Sequence, residues 1–218
     1  MNKKNVFLLM FTILLIISSS CTQKLEIETT DTKVGIKPYS LSQESEKILR
    51  SLNLNGKTNI LFFKAPKSTE YINVNVYLLG ENGTWMEIDS LSFQAEDKHY
   101  NNEGSLEGIF SMVINDFETL ELNINIGSSL RSLSLLKESF SADDVFYEGV
   151  YESSHIFLEE FKDITLNKEI PVAIIIKNRA TDSTDTIHYD TESFFATTDF
   201  EETDYVQAVT LTFASKID

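Results

Sequence analysis

Leu120-Glu121-Leu122-Asn123-Ile124-Asn125-Ile126 is the cleanest alternation in the chain, with aliphatic residues at even positions and polar ones between them. Successive side chains of an extended strand point to opposite faces, so this stretch reads as a strand with one face buried and one wet. Gly127-Ser128-Ser129 ends it, and Leu130–Leu136 alternates again with serines. Upstream, Leu106–Ile114 offers a partner of similar length. Further out, Ile72, Val74, Val76 and Leu78 alternate within Tyr71–Leu79, and Asn82-Gly83 follows as a hairpin signal. Trp85–Ile88 returns, and Leu91, Phe93 and Ala95 continue with polar residues between them before a polar stretch over 96–104.

The same reading places strands at Ile60–Phe63, Ile156–Phe161, Thr184–Tyr189 and Tyr205–Phe213. Ile170–Ile176 is so continuously apolar that it should be buried on both faces, with Pro171 near its start, where a missing N–H is tolerated. One helix is expected over 41–53, capped by Ser40 with Gln43 at the capping-box position, and Leu41, Ile48, Leu49 and Leu52 share a side. The fold class that follows is mostly β: an antiparallel β-sandwich of nine to eleven strands with one short N-terminal helix, occupying residues 41–218.

The N-terminus has a different logic. Lys3 and Lys4 precede an apolar run from Val6 to Ile17 broken only by Thr12. As a helix that run measures about 18 Å, well short of the roughly 30 Å hydrocarbon core. It therefore suits a signal peptide over residues 1–20 better than a permanent span. Ser18-Ser19-Ser20 leads into Cys21, the only cysteine in the chain. This arrangement resembles the lipobox of bacterial lipoproteins, with the difference that Ser18 stands where leucine is more common. The resemblance implies lipidation of Cys21, attachment to a membrane through that lipid, and an extracytoplasmic domain. Residues 21–40, polar and Thr-rich, read as a flexible tether. The mature part resembles uncharacterised lipoproteins of low-GC Gram-positive bacteria at Phe63-Lys64-Ala65-Pro66, at Val74–Leu78 leading into Gly83-Thr84-Trp85, and at Tyr205–Phe213. That resemblance implies an envelope location and no particular activity.

Charge narrows the partners. The chain has 18 Lys and Arg against 34 Asp and Glu, net −16, and loss of Lys3 and Lys4 makes the mature domain more acidic still. Such a surface repels nucleic acid and anionic headgroups.

Catalytic motifs are sparse. No G-x-S-x-G elbow occurs, and His99, His155 and His188 lack a zinc-type spacing. Glu159-Glu160 and Glu201-Glu202 are carboxylate pairs, but neighbours on a strand point to opposite faces. Calcium is the one cofactor the sequence suggests, because Asp182, Asp185, Asp190, Asp199 and Asp204, with Glu201 and Glu202, crowd one segment rich in Ser and Thr oxygens. The EF-hand pattern is absent there. Trp85, beside a turn and near Tyr77, and Tyr100, in a polar loop, are the aromatic candidates for stacking a glycan. The expected function is a tethered binding or accessory module that contacts an envelope component, glycan or exported protein. A carboxylate-based glycoside hydrolase or carbohydrate-binding protein is the alternative.

Overall fold

The structure, a computed structural model, describes residues 33–115, 119–135, 151–179, 189–200, 203 and 205–215. Ten strands occur among them, in two five-stranded antiparallel sheets packed face to face as a sandwich. They are β1 (Gly35–Pro38), β2 (Thr58–Ala65), β3 (Tyr71–Leu79), β4 (Trp85–Gln94), β5 (Leu106–Ile114), β6 (Leu120–Ile126), β7 (Ser129–Leu135), β8 (Tyr151–Phe157), β9 (Glu169–Arg179) and β10 (Tyr205–Ala214). Sheet I runs β1-β2-β5-β6-β7 and sheet II runs β4-β3-β10-β9-β8. The chain crosses from one sheet to the other after β2, β4 and β7, the other consecutive strands pair with each other, and the last strand inserts between β3 and β9. That central position explains why β10 is buried on both faces over most of its length.

Alternation builds the core as the sequence implies. Leu120, Leu122, Ile124 and Ile126 point inward from β6, and Leu106, Phe110, Met112 and Ile114 do so from β5. Phe63 of sheet I meets Phe213 of sheet II edge to face, with ring centroids 5.2 Å apart. Gly108 makes room for this packing: a Cβ there would lie 2.5 Å from the Phe63 ring and 2.6 Å from the Asn125 carbonyl oxygen. Buried Asn59 ties the sheets together, its Nδ2 donating to the Val172 carbonyl at 3.1 Å. Ile170–Ile176 is buried throughout, as expected of a run apolar on both faces. Val209 pairs with Ala173 and Thr210 with Pro171, so Val172 is an extra residue. Pro171 thus sits beside a bulge, where an absent donor costs little.

Four local expectations are corrected. Tether residues 35–38 are a strand: β1 pairs with β2, and Ile36 is fully buried and exchanges backbone hydrogen bonds with Lys162. The helix, α1 (Gln43–Ser51), is capped by Ser42, whose hydroxyl accepts from Ser45 N, and not by Ser40. The reason is that Tyr39 N still donates to the Ile60 carbonyl, so the chain has barely left the sheet at Ser40. The expected apolar side of α1 is also no core face: Ile48 is 58% and Leu52 61% exposed, and Leu41 and Leu49 are only half-buried. Its cap, Glu44 and Glu46 in the first turn and Arg50 in the last hold it instead. Finally, β8 starts at Tyr151 and ends at Phe157, earlier at both ends than the apolar residues suggest. The strand expected at Thr184–Tyr189 lies outside the described residues except for Tyr189.

The two segments read around Trp85 and Phe93 are one strand. Val76 pairs with Asp89 and Tyr77 with Glu87, leaving Ile88 as an extra residue. That single bulge flips the odd positions of β4, because side-chain parity has a period of two. Leu91 and Phe93 therefore face the core with Val74 and Ile72, whereas Trp85 faces outward with Leu79 and Tyr77.

Candidate binding site

The inner face of sheet II is apolar for most of its length and turns polar at one end. On β10, inward Phe213, Leu211 and Val209 give way to Gln207. The register carries the change sideways, since Gln207 pairs with Ile175, Ile175 with His155, and Lys177 with Ser153. Opposite them stand Ile114 and Leu120 at the ends of β5 and β6, with Lys57 just before β2. Together with Asn115, which follows β5, these residues line a cavity of about 200 Å³ between the two sheets.

Two features of this cavity are chemically specific. Gln207 is only 5% exposed, and its Nε2 has no hydrogen-bond partner among the described residues. A buried donor left unmade costs about 1–3 kcal/mol, so it asks for an acceptor. His155 is held on both ring nitrogens, with Nδ1 3.1 Å from the Gly56 carbonyl oxygen and Nε2 3.1 Å from Ser153 Oγ. A carbonyl can only accept, so Nδ1 carries hydrogen, and Nε2 faces the serine hydroxyl. The ring is thereby fixed in orientation at the mouth of the cavity.

The aromatic candidates lie elsewhere and apart. Trp85 opens β4, while Tyr100 follows its far end, so the strand alone separates them by about 30 Å. Trp85 stacks on Phe194 at 5.0 Å, meets the Phe200 ring edge-on at 6.2 Å, and donates Nε1–H to the Phe194 carbonyl at 2.8 Å. It belongs to a satellite core on the outer face of sheet II, built with Ile174, Ile176, Val206 and Ala208 and roofed by two 3-10 turns, Thr191–Phe195 and Thr197–Phe200. Tyr100 packs against the main core and donates its hydroxyl to the Thr69 carbonyl at 2.6 Å; burial raises its pKa above the ordinary value. Both rings have their polar handles engaged within the fold.

Beside the satellite core, Tyr77 donates to Glu169 Oε1 at 2.5 Å, and Asn75 and buried Thr210 donate to the same oxygen. Burial first, then the bond to Glu169, pushes the Tyr77 phenol up to about 12.

Of the calcium candidates, Asp190 is engaged within the fold. Its carboxylate caps the Thr191–Phe195 turn by accepting from Glu192 N at 2.9 Å and Ser193 N at 3.1 Å. Asp182, Asp185 and Asp204, with Glu201 and Glu202, lie outside the described residues, as does the side chain of Asp199. Among the described residues no three His, Cys, Asp or Glu side chains gather to hold a metal ion. Glu159 and Glu160 are exposed and border a cavity of about 310 Å³ with Asp190 and Glu192. Glu192 there is joined to Lys162 at 2.8 Å, which keeps that ammonium's pKa high.

His99 is a strut: Nδ1 accepts from Glu96 N at 2.8 Å, and Nε2 lies 2.9 Å from Ser129 Oγ on β7. His188 and Cys21 fall outside the described residues. The Gln207 cavity has no motif in the sequence. Its one legible sign is a glutamine on the core-facing parity of an otherwise apolar strand.

The chain matches no protein-family model, no curated protein and no solved structure.

Proposed function

We propose that the chain is an exported lipoprotein, anchored through lipid on Cys21, whose β-sandwich acts outside the cytoplasm as a binding or accessory module. The observation that carries this reading is the order Lys3-Lys4, the apolar run Val6–Ile17, and Ser18-Ser19-Ser20 before a lone Cys21. The position of the first strand supports it. β1 begins at Gly35, and the intervening residues reach at most about 50 Å when fully extended. The domain's acidic surface suits a body held off an anionic membrane. Its entry is fastened: Lys33 pairs with Asp163 at 3.0 Å and lies over the Phe161 ring.

Expression in a bacterial host followed by membrane fractionation tests the reading. The chain should sediment with membranes and be released by detergent but not by high salt, whereas Cys21→Ser should leave the domain unlipidated. Equal behaviour of the two, with no lipid on either, overturns the proposal.

A further inference from the structure

We propose that α1 lies against an anionic phospholipid bilayer, with Ile48 and Leu52 set among its headgroups. This rests on the reading of the chain as membrane-anchored and deepens it, because it assigns the face that the domain turns to the membrane. Ile48 and the C-cap Leu52 are about one helical turn apart, so they share a side, and they are 58% and 61% exposed. α1 has no buried residue, and no described element covers either side chain. An aliphatic pair left in water on a short helix, with basic side chains beside it, is the build of a segment that rests in a membrane interface.

Two observations select an anionic bilayer as the occupant. The first is reach. Twelve residue steps separate Cys21 from Lys33, where the described domain begins. At full extension they span about 40 Å, so the entry of the domain stays close to the anchor. Gln43 follows Lys33 by ten residues. Attachment makes contact with the bilayer an intramolecular event, so a small apolar face suffices where a free protein would need a large one. The second is charge. The chain carries net −16, yet no Asp or Glu occurs from Lys47 to Thr69. On α1 the carboxylates Glu44 and Glu46 keep to the first turn, while exposed Lys47 and Arg50 accompany Ile48 toward the C-terminal end. Anionic headgroups attract that end and repel the acidic remainder, which sets the side of the domain that faces the membrane. A second copy of the chain is a poorer occupant, because it brings the same net charge and the same basic end.

The test is amide hydrogen exchange, read by mass spectrometry, on the full chain bound to vesicles. One set holds equal parts phosphatidylcholine and phosphatidylglycerol, a second holds phosphatidylcholine alone, and neutral detergent micelles are the third medium. Peptides covering Gln43–Leu52 should exchange about tenfold more slowly on the anionic vesicles than in the other two media, because docking suppresses the local opening of a helix with no buried residue. Peptides of β6 and β7 should exchange alike in all three, and they report the fold of each variant in the same data. Ile48→Ser with Leu52→Ser should remove the slowing, and so should Lys47→Glu with Arg50→Glu. The proposal is overturned if α1 exchanges alike on both kinds of vesicle, or if the slowing survives either pair of substitutions. It is also overturned if α1 slows in micelles as the protein concentration rises, which would make a second copy the occupant. The chain is held on the vesicles by lipid on Cys21 or, where that lipid is missing, by its uncut apolar run Val6–Ile17. The mass of the same sample tells which anchor is present, so the anchoring and the docking can fail separately.

Discussion

Replacing Phe194 with alanine should strip the satellite core from the outer face of sheet II. Phe194 is 6% exposed, and its ring lies 5.0 Å from Trp85, 5.2 Å from Phe195 and 5.6 Å from Tyr77. Truncating a buried phenylalanine costs about 3–5 kcal/mol. Here the site can partly collapse, because Phe195 above it is 62% exposed and no further layer of described residues lies beyond. The lower end, about 3 kcal/mol, is therefore expected, which for a domain of this size lowers Tm by roughly 6–12 °C. Trp85 is the only tryptophan, so its emission reports the site directly. The native spectrum of Phe194→Ala should shift to the red as the indole loses its stacked cover. A thermal melt followed by far-UV circular dichroism gives the stability change on the same sample. A Tm loss below about 2 °C with unchanged Trp85 emission would show that the 3-10 turns do not roof this face.

Other outcomes follow from single contacts. Gly108→Ala should destabilise by about 1–3 kcal/mol in a urea melt, because the new methyl meets the Phe63 ring and a backbone oxygen that cannot step aside. Asn59→Ala should cost only about 1 kcal/mol by the same assay, since the Val172 carbonyl keeps its bond from Leu158 N. Ile48→Ser with Leu52→Ser should change stability by about 0.5 kcal/mol or less, because both side chains, on α1 and at its C-cap, are largely in water already. Tyr77 ties stability to alkaline pH: its folded pKa of about 12 lies above the ordinary 10, so its contribution is whole below pH 10 and lost as pH climbs toward 12. With the partial exposure of the phenol discounted, that loss is about 1 kcal/mol, and Tyr77→Phe should abolish this part of the pH dependence in melts between pH 9 and 12.

The sandwich was legible because parity is a local property. Leu120–Ile126 and Tyr71–Leu79 each declare a buried face without reference to the rest of the chain, and both faces are where the alternation puts them. The failures come from features that parity does not encode. Gly35–Pro38 is too short to alternate visibly, and it becomes a strand only because β2 and Lys162 supply hydrogen-bond partners on either side. The apolar side of α1 looks like a core face, yet no element of the described fold covers Ile48 or Leu52. Ile88 is one residue too many for the pairing of β3 with β4, and nothing local marks it as the bulge that turns Trp85 outward. The Asn82-Gly83 turn was partly legible: Gly83 takes φ +71°, while Asn82 stays at ordinary φ and accepts from Thr84 N instead. The candidate cavity was least legible of all. Gln207, His155 and Lys177 are distant in sequence or scattered among polar neighbours, and only the register of β8, β9 and β10 brings them to one end of one face.

Mass spectrometry of the chain purified from membranes addresses the central proposal most directly. The account predicts an N-terminal peptide that begins at Cys21 and carries a diacylglyceryl group on its sulfur, with residues 1–20 absent. A peptide that begins at Met1, or one that retains Cys21 as a free thiol, would contradict it.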